Sequence, residues 1–264
     1  MHNGVNTIIT TGGRPDDVSR KLALDASTKL HYKFVERNKR SIVRMQKDYN
    51  SAVLVAGHNR FELYRQEMKK PFFFHPNSAA YRMKRLLKGG TDPLIDVSEL
   101  KEGDSFLDCT LGLASDSIIA SFAVGENGRV LGLEGDKDIA FIVEKGLQTF
   151  PTSLEEMHDA MRRVVVKQIN AISFLENEQD CSWDVVYIDP MFSAPIDESS
   201  NFTPLRQVGL LAQLSEKWIE EAYRVCKRRV IVKEHFNSPV FEQFKFQQIV
   251  RPNTKFHFGY LSKV

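Results

Sequence analysis

The sequence predicts an α/β protein: a mostly parallel sheet with helices on both faces, closed by an antiparallel hairpin, behind a smaller N-terminal α/β domain. Three observations predict it. From about residue 100, five apolar runs of strand length alternate with helical segments, the rhythm of a sheet covered on both faces. Two further strand-like runs, 244–250 and 255–261, are separated only by Arg251-Pro252-Asn253-Thr254, short enough for an antiparallel pair. The loop GGTDPL (89–94) divides this part from a front part of different composition, giving expected domains of 1–90 and 91–264.

Residues 6–11 (NTIITT) read as a strand. Gly12-Gly13-Arg14-Pro15-Asp16-Asp17 then turns into a helix over about 15–30, where proline and two aspartates suit an N-terminus. A phosphate can use such a helix start, but the aspartates oppose an anion, so a structural helix start is the better reading. A helix over about 40–49 carries Lys39, Arg40, Arg44 and Lys47 near or on it. Strands 52–57 and 61–65 are joined by a tight Gly-His-Asn turn. PFFFHP (71–76) is extended, and a basic helix over 78–88 follows, with Arg82, Lys84, Arg85 and Lys88. The later strands are expected at 104–110, 128–136, 163–170, 183–189 and 228–235. The helices between them are expected at about 115–124, 137–148, 153–163 and 205–227.

A chain of 264 residues, 42% hydrophobic and 27% charged, is ordinary for a globular protein with a sizeable core. No apolar run reaches the roughly 18 residues that span a bilayer. The start, MHNGVNTIITTGGRPDD, has no basic stretch leading into a long apolar one, so a secretory signal is not expected. Cys109, Cys181 and Cys226 form no CxxC pair, which argues for reduced thiols and a cytoplasmic location. His75 and His235 have no ligand spacing, and no metal is expected. The net charge of +2 hides an asymmetry: residues 1–90 carry 18 Lys/Arg against 7 Asp/Glu, and the remainder 18 against 27. A basic front half points to a polyanion. Its two basic helices suit a phosphate-directed RNA track or are solvated faces; both readings stand.

Ligands of such sheets bind at the carboxyl ends of the strands. The turn LDCTLGLASDS (107–117) has Gly112 but lacks the three glycines with which a dinucleotide loop approaches a pyrophosphate. Asp108 before it would repel that anion and attract a cation. Glu134, ending the next strand beside Gly135, can take both hydroxyls of a ribose. Asn170 and Ala171 end the third strand. Singly these are caps and turn formers; together they point to an adenosine cofactor without a pyrophosphate, and S-adenosylmethionine fits. The fourth strand runs into Asp189-Pro190-Met191-Phe192. The amine of a nucleobase is a poor nucleophile because its lone pair is delocalised. Asp189 and the Pro190 carbonyl can accept its hydrogens, proline fixes that backbone, and Phe192 can stack on the base. A plain turn with Phe192 in the core is the competing reading. Lys233, at the end of the fifth strand, either touches RNA or a cofactor carboxylate, or lies on the surface.

DCTLGLASDSIIASFAVG, LGLEGD, VVYIDPMF, VIVKEHFNSP and KFHFGYL, with FFFHPNSAAYRMKRL ahead of them, resemble the class I S-adenosylmethionine-dependent methyltransferases. Among these they resemble the RsmJ/YhiQ-type ribosomal RNA guanine-N2 methyltransferases. The resemblance covers about 71–264. It implies a Rossmann-like class I methyltransferase sheet, and S-adenosylmethionine contacts from Ser115-Asp116, Glu134-Gly135, Asn170-Ala171 and Asp189. It also implies methyl transfer to a guanine amine in small-subunit ribosomal RNA. Other readings are a methyltransferase of DNA or a small molecule, and an RNA-binding protein that keeps the fold without turnover. An NAD oxidoreductase is disfavoured by the missing glycines.

Overall fold

The computed structural model describes residues 6–66, 68, 70–190 and 214–263. These fall into two compact units that part between His75 and Pro76. The sequence put the boundary later, at the GGTDPL loop. The helix Asn77–Leu86 goes with the larger unit because its Arg82 is paired there with Asp92 and Asp116.

In the smaller unit, β1 (Thr7–Thr11), β2 (Ala52–Ala56) and β3 (Phe61–Tyr64) form one sheet in that order. β1 and β2 are parallel and β3 is antiparallel to β2. Helices α1 (Asp17–Leu30) and α2 (Ile42–Tyr49) lie between β1 and β2 in the chain. Ile8, Val35, Met45, Val53 and Val55 build an apolar cluster. Asp16 caps α1 by accepting from the Ser19 amide at 2.7 Å, and Ser19 Oγ accepts from the Asp16 amide at 3.0 Å. Two orphan donors of the helix start are thus satisfied by its own side chains, as the reading of a structural start requires. The aromatic run 71–76 is extended, and Phe72 bridges to Leu63.

The larger unit opens with α3 (Asn77–Leu86) and α4 (Pro93–Ser98). A seven-stranded sheet follows in the order β6-β5-β4-β7-β8-β10-β9. Its strands are β4 (Ser105–Asp108), β5 (Arg129–Glu134), β6 (Val164–Gln168), β7 (Trp183–Ile188), β8 (Cys226–His235), β9 (Gln247–Ile249) and β10 (Phe256–Ser262). β4 to β8 run parallel, while β10 is antiparallel to both β8 and β9. The connecting helices include α5 (Ser115–Val124), α6 (Lys137–Thr149), α7 (Glu155–Arg163) and α8 (Ala171–Glu176). From β4 the chain winds outward first through β5 and β6, then returns to β7 and β8. The gap between β4 and β7 is therefore the switch point where such sheets bind ligands. Val185, Val186, Tyr187 and Ile188 of β7 and Val230, Ile231 and Val232 of β8 are buried, which fixes those two strand ends rigidly.

Three expectations differ locally. The GGTDPL loop ends in a short helix, because Asp92 accepts from the Leu94 amide at 3.0 Å and Pro93 suits the first helical position. The run 244–250 is strand only over Gln247–Ile249, since the backbone before it closes a short helix and Phe246 turns into the core. Of the helix expected over 205–227, Glu216–Val225 is described and residues up to 213 lie outside the described ones. No helix among the described residues is long and apolar enough to cross a membrane.

Candidate active site

The turn after β4 is tight. Gly112 and Ala114 both have left-handed backbone, at φ 49° and 58°, and the Ala114 amide donates to the Leu111 carbonyl at 2.7 Å. Glycine suits the first position; alanine carries the steric cost at the second. The Leu111 amide donates to the Leu133 carbonyl at 3.0 Å, tying the turn to β5. Gly132 makes room for this: a Cβ there would stand 2.2 Å from Leu111 Cδ1.

Asp108 ends β4 and is 1% exposed. Its Oδ1 accepts from the Thr110 amide at 2.9 Å and its Oδ2 from the Ser117 hydroxyl at 2.6 Å. Burial outweighs these bonds and pushes its carboxyl up to about 7. Glu134 ends β5, and its Oε1 accepts from the Asp136 amide at 2.9 Å. Burial raises it as well, to about 7. Gly135 accepts through its carbonyl from Gln168 Nε2 at 3.1 Å. Asn170 caps α8 by accepting from the Ser173 amide at 3.1 Å, and Ala171 begins that helix. Ser115 and Asp116 begin α5.

Two carboxylates at adjacent strand ends, Asp108 buried and Glu134 half-buried, each satisfied only by neutral donors, are the chemistry that S-adenosylmethionine needs. An ammonium beside Asp108 and a ribose diol beside Glu134 would favour their ionised forms. The residues present therefore fit this cofactor. Among the described residues no cluster of three or more His, Cys, Asp or Glu is arranged to hold a metal.

Asp189 follows β7 directly, and its amide donates to Thr110 Oγ1 at 2.7 Å, fastening it to the cofactor turn. Its Oδ2 accepts from Lys233 Nζ at 2.6 Å. Lys233 also reaches Asp116 Oδ2 at 3.3 Å, and the Tyr187 hydroxyl donates to that same oxygen at 2.9 Å. Arg82 Nη1 donates to Asp116 Oδ1 at 2.5 Å, while its Nε and Nη2 hold Asp92 at 2.8 and 2.7 Å. A chain of charges thus runs Asp92–Arg82–Asp116–Lys233–Asp189. Burial alone would raise Asp116, but Lys233 and Arg82 hold it well below the usual carboxylate range. Burial raises Asp189, and Lys233 is the largest influence opposing it. Lys233 itself is kept cationic: burial disfavours its charge, but Asp116 and Asp189 outweigh that.

The sequence-predicted residues Asp108, Gly112, Ser115, Asp116, Glu134, Gly135, Asn170, Ala171 and Asp189 all stand at carboxyl ends of β4 to β7 or in the turns that follow. Pro190 follows Asp189 and is buried. Phe192 lies outside the described residues. Arg82 corrects an expectation: it is no member of an RNA track, since its side chain is 15% exposed and holds two carboxylates. Arg85 is also drawn to Asp92, at 3.2 Å. In the smaller unit Arg44 pairs with Asp48 at 2.8 Å, and Lys39 and Lys47 are exposed. Lys233 is neither at the surface nor unpaired. Asp92 and Tyr187 went unread in the sequence, one hidden in a turn signal and the other in an apolar run. A lysine inside the apolar strand VIVKEH was the one available sign of the ion network.

Over residues 37–258 the chain matches the family described as "Putative SAM-dependent methyltransferase". It belongs to that family. S-adenosylmethionine is accordingly its cofactor, as the strand-end carboxylates led us to expect. The chain is 43% identical over 252 residues to the uncharacterised protein YpiP of Bacillus subtilis (strain 168), covering 96% of this chain and 98% of YpiP. It is similar in structure to a SAM-dependent methyltransferase from Neisseria gonorrhoeae, with a TM-score of 0.59 at 16% identity, over 96% of this chain and 95% of that one. That likeness shows a shared Rossmann-like methyltransferase fold.

Proposed function

We propose that this methyltransferase acts on RNA, and that its acceptor is the exocyclic amine of a guanine in small-subunit ribosomal RNA. The observation that carries the reading is Asp189. It is a carboxylate at the switch point, fastened to the cofactor turn through Thr110 and held at one oxygen by Lys233. Bound S-adenosylmethionine supplies a methyl group on a sulfonium, already a strong electrophile. Asp189 Oδ1 and the Pro190 carbonyl accept the two hydrogens of the amine, which draws its lone pair out of the ring. As the nitrogen–carbon bond would form and the sulfur–methyl bond break, leaving its electron pair on a neutral thioether, Asp189 would take the proton that the nitrogen gives up. Positioning for in-line attack then supplies most of the acceleration. The resemblance of VVYIDPMF to ribosomal RNA guanine-N2 methyltransferases, and the basic excess of residues 1–90, support RNA over a small substrate. This reading makes the cytoplasm its compartment.

The test is incubation of purified protein with labelled S-adenosylmethionine and small ribosomal subunits from cells lacking the gene, then digestion of the RNA. Label in N2-methylguanosine, lost in Asp189→Ala while that variant still binds cofactor, is the expected result. Label in another nucleoside, or none, would overturn the assignment of the acceptor. Wild-type turnover in Asp189→Ala would overturn the role of Asp189.

A further inference from the structure

One strand beyond Asp189, the carboxyl end of β8 and the turn before β10 carry residues that the methyl transfer leaves unused. Arg251 is the central one. Its guanidinium carbon stands 5.3 Å from the centre of the Phe256 ring and 5.8 Å from that of Phe258. Among the described residues no carboxylate lies within ion-pair distance of it. Burial disfavours its charge; Asp92 opposes that from a distance, and Arg85 and Arg82 add repulsion. Asp92 is already committed to Arg82 and Arg85. The Arg85 Nε is buried and has no hydrogen-bond acceptor among the described residues. Arg251 and Arg85 therefore lie close enough to repel each other, two guanidinium groups in one neighbourhood. The ring of Phe256 is also touched by Lys233, whose Nζ is 5.1 Å from its centre and which holds Asp189. The positive group is thus three contacts from the acceptor carboxylate.

An exposed aromatic ring stands at the same end of the sheet, across its edge from the guanidinium: Phe256 and Phe258 share one face of β10 and His257 the other. Phe236 follows β8 and is 41% exposed, although it is a large apolar residue. Its ring centre lies 4.6 Å from that of His235 and 6.0 Å from that of His257. The Arg251 backbone amide donates to His257 Nε2 at 3.2 Å, so the histidine beside Phe236 ties down the turn that carries Arg251. A guanidinium without a counter-ion among the described residues, a second one on a side chain 41% exposed, and an open aromatic face together match a nucleotide: a phosphate for the first two and a base for the third.

We propose that Arg251 and Phe236 form a subsite for the nucleotide next to the target, with Arg251, aided by Arg85, taking a backbone phosphate and Phe236 stacking the adjoining base. The proposal rests on the reading of RNA as substrate and adds where the strand is gripped. A single strand suits it, because only unpaired bases present their faces to a ring.

The experiment measures binding of a fluorescein-labelled single-stranded oligoribonucleotide by anisotropy over a range of salt, for the wild type, Arg251→Gln, Arg251→Lys and Phe236→Ala. Affinity for S-adenosylmethionine is measured beside it by calorimetry. Arg251→Gln is expected to weaken RNA binding about tenfold and to lower the slope of log affinity against log salt by about 0.7, one phosphate on a single strand. Arg251→Lys keeps the slope, since it keeps the charge. Phe236→Ala weakens binding by about tenfold at unchanged slope. Cofactor affinity stays at the wild-type value in all three, which also shows that they fold. RNA affinities equal to the wild type overturn the subsite. Loss of cofactor affinity in Arg251→Gln but not in Arg251→Lys overturns it too, by giving the guanidinium to the cofactor carboxylate. Failure of the wild type itself to bind RNA at any salt removes the RNA reading and the subsite together, and is distinguished because no variant is needed to see it.

Discussion

Replacing Lys233 with methionine removes the only cation, among the described residues, within ion-pair distance of Asp189. The side chains of Lys233 and Asp189 are 17% and 23% exposed, so water screens the loss weakly. Asp116 keeps Arg82 and the Tyr187 hydroxyl. Two unit charges about 4 Å apart at an effective dielectric of about 20 interact by about 4 kcal/mol. At about 1.4 kcal/mol per pH unit, that corresponds to roughly three pH units on the Asp189 carboxyl, an upper figure before relaxation and water entry. The direction follows from the charges. Burial already raises Asp189 and Lys233 opposes it, so loss of Lys233 raises it further. In the proposed reaction the amine needs Asp189 ionised, so activity is expected to appear as pH rises through its pKa. The acid limb of kcat/KM in Lys233→Met should therefore move to higher pH by roughly one to three units, and Lys233→Arg should restore most of it. The assay is methyl transfer from pH 5 to 9, with cofactor affinity measured separately. An acid limb that stays in place, at lower overall rate, would refute the electrostatic role and leave Lys233 as packing.

Cofactor affinity should depend on pH through a different pair. Asp108 and Glu134 are both pushed up to about 7 by burial, and an ammonium and a ribose diol bound beside them would favour their ionised forms. Binding should then release about one proton at pH 7, approaching two toward pH 6, and tighten from pH 6 to 8; calorimetry in two buffers of different ionisation enthalpy reads the protons, and a pH-independent affinity would contradict it. The same groups set a stability trend. A carboxyl raised above its unfolded value contributes stability that is fully present below that value, near 4, and lost as pH rises through about 7. The melting temperature without cofactor should therefore fall, on their account, between about pH 4 and 7. Arg82→Met leaves Asp92 buried with Arg85 alone and should cost about 3–5 kcal/mol, a melting temperature lower by roughly 10 °C; a loss below 1 kcal/mol would show the pair to be dispensable. Gly128→Ala puts a Cβ 2.5 Å from Val124 Cβ and 2.7 Å from the Asp104 carbonyl oxygen, and should cost about 1–3 kcal/mol in urea unfolding.

The sheet was legible because β4, β5, β7 and β8 are short apolar runs, each ended by a polar residue and a turn signal, and such endings mark where ligands of parallel sheets are held. The ion network was not, because no local pattern carries it. Arg82 sits in a helix whose basic spacing reads as a solvated face, and only tertiary packing turns it inward against Asp92 and Asp116. Asp92 precedes a proline and reads as a turn, while its carboxylate does the work of a helix cap and a counter-ion at once. Asp108 and Asp189 make the point most sharply. In sequence they are alike, each an aspartate closing an apolar strand before a turn. In the fold both are raised by burial, and their neighbours separate them. Asp108 has only hydroxyl and amide donors, which do not offset its burial, and a cationic ligand beside it would favour its ionised form. Asp189 has an ammonium at 2.6 Å, which supports the charge that a proton acceptor needs. One residue type at equivalent strand ends is thereby fitted to two tasks, and the difference lies in Lys233, a residue that arrives from the far end of the chain.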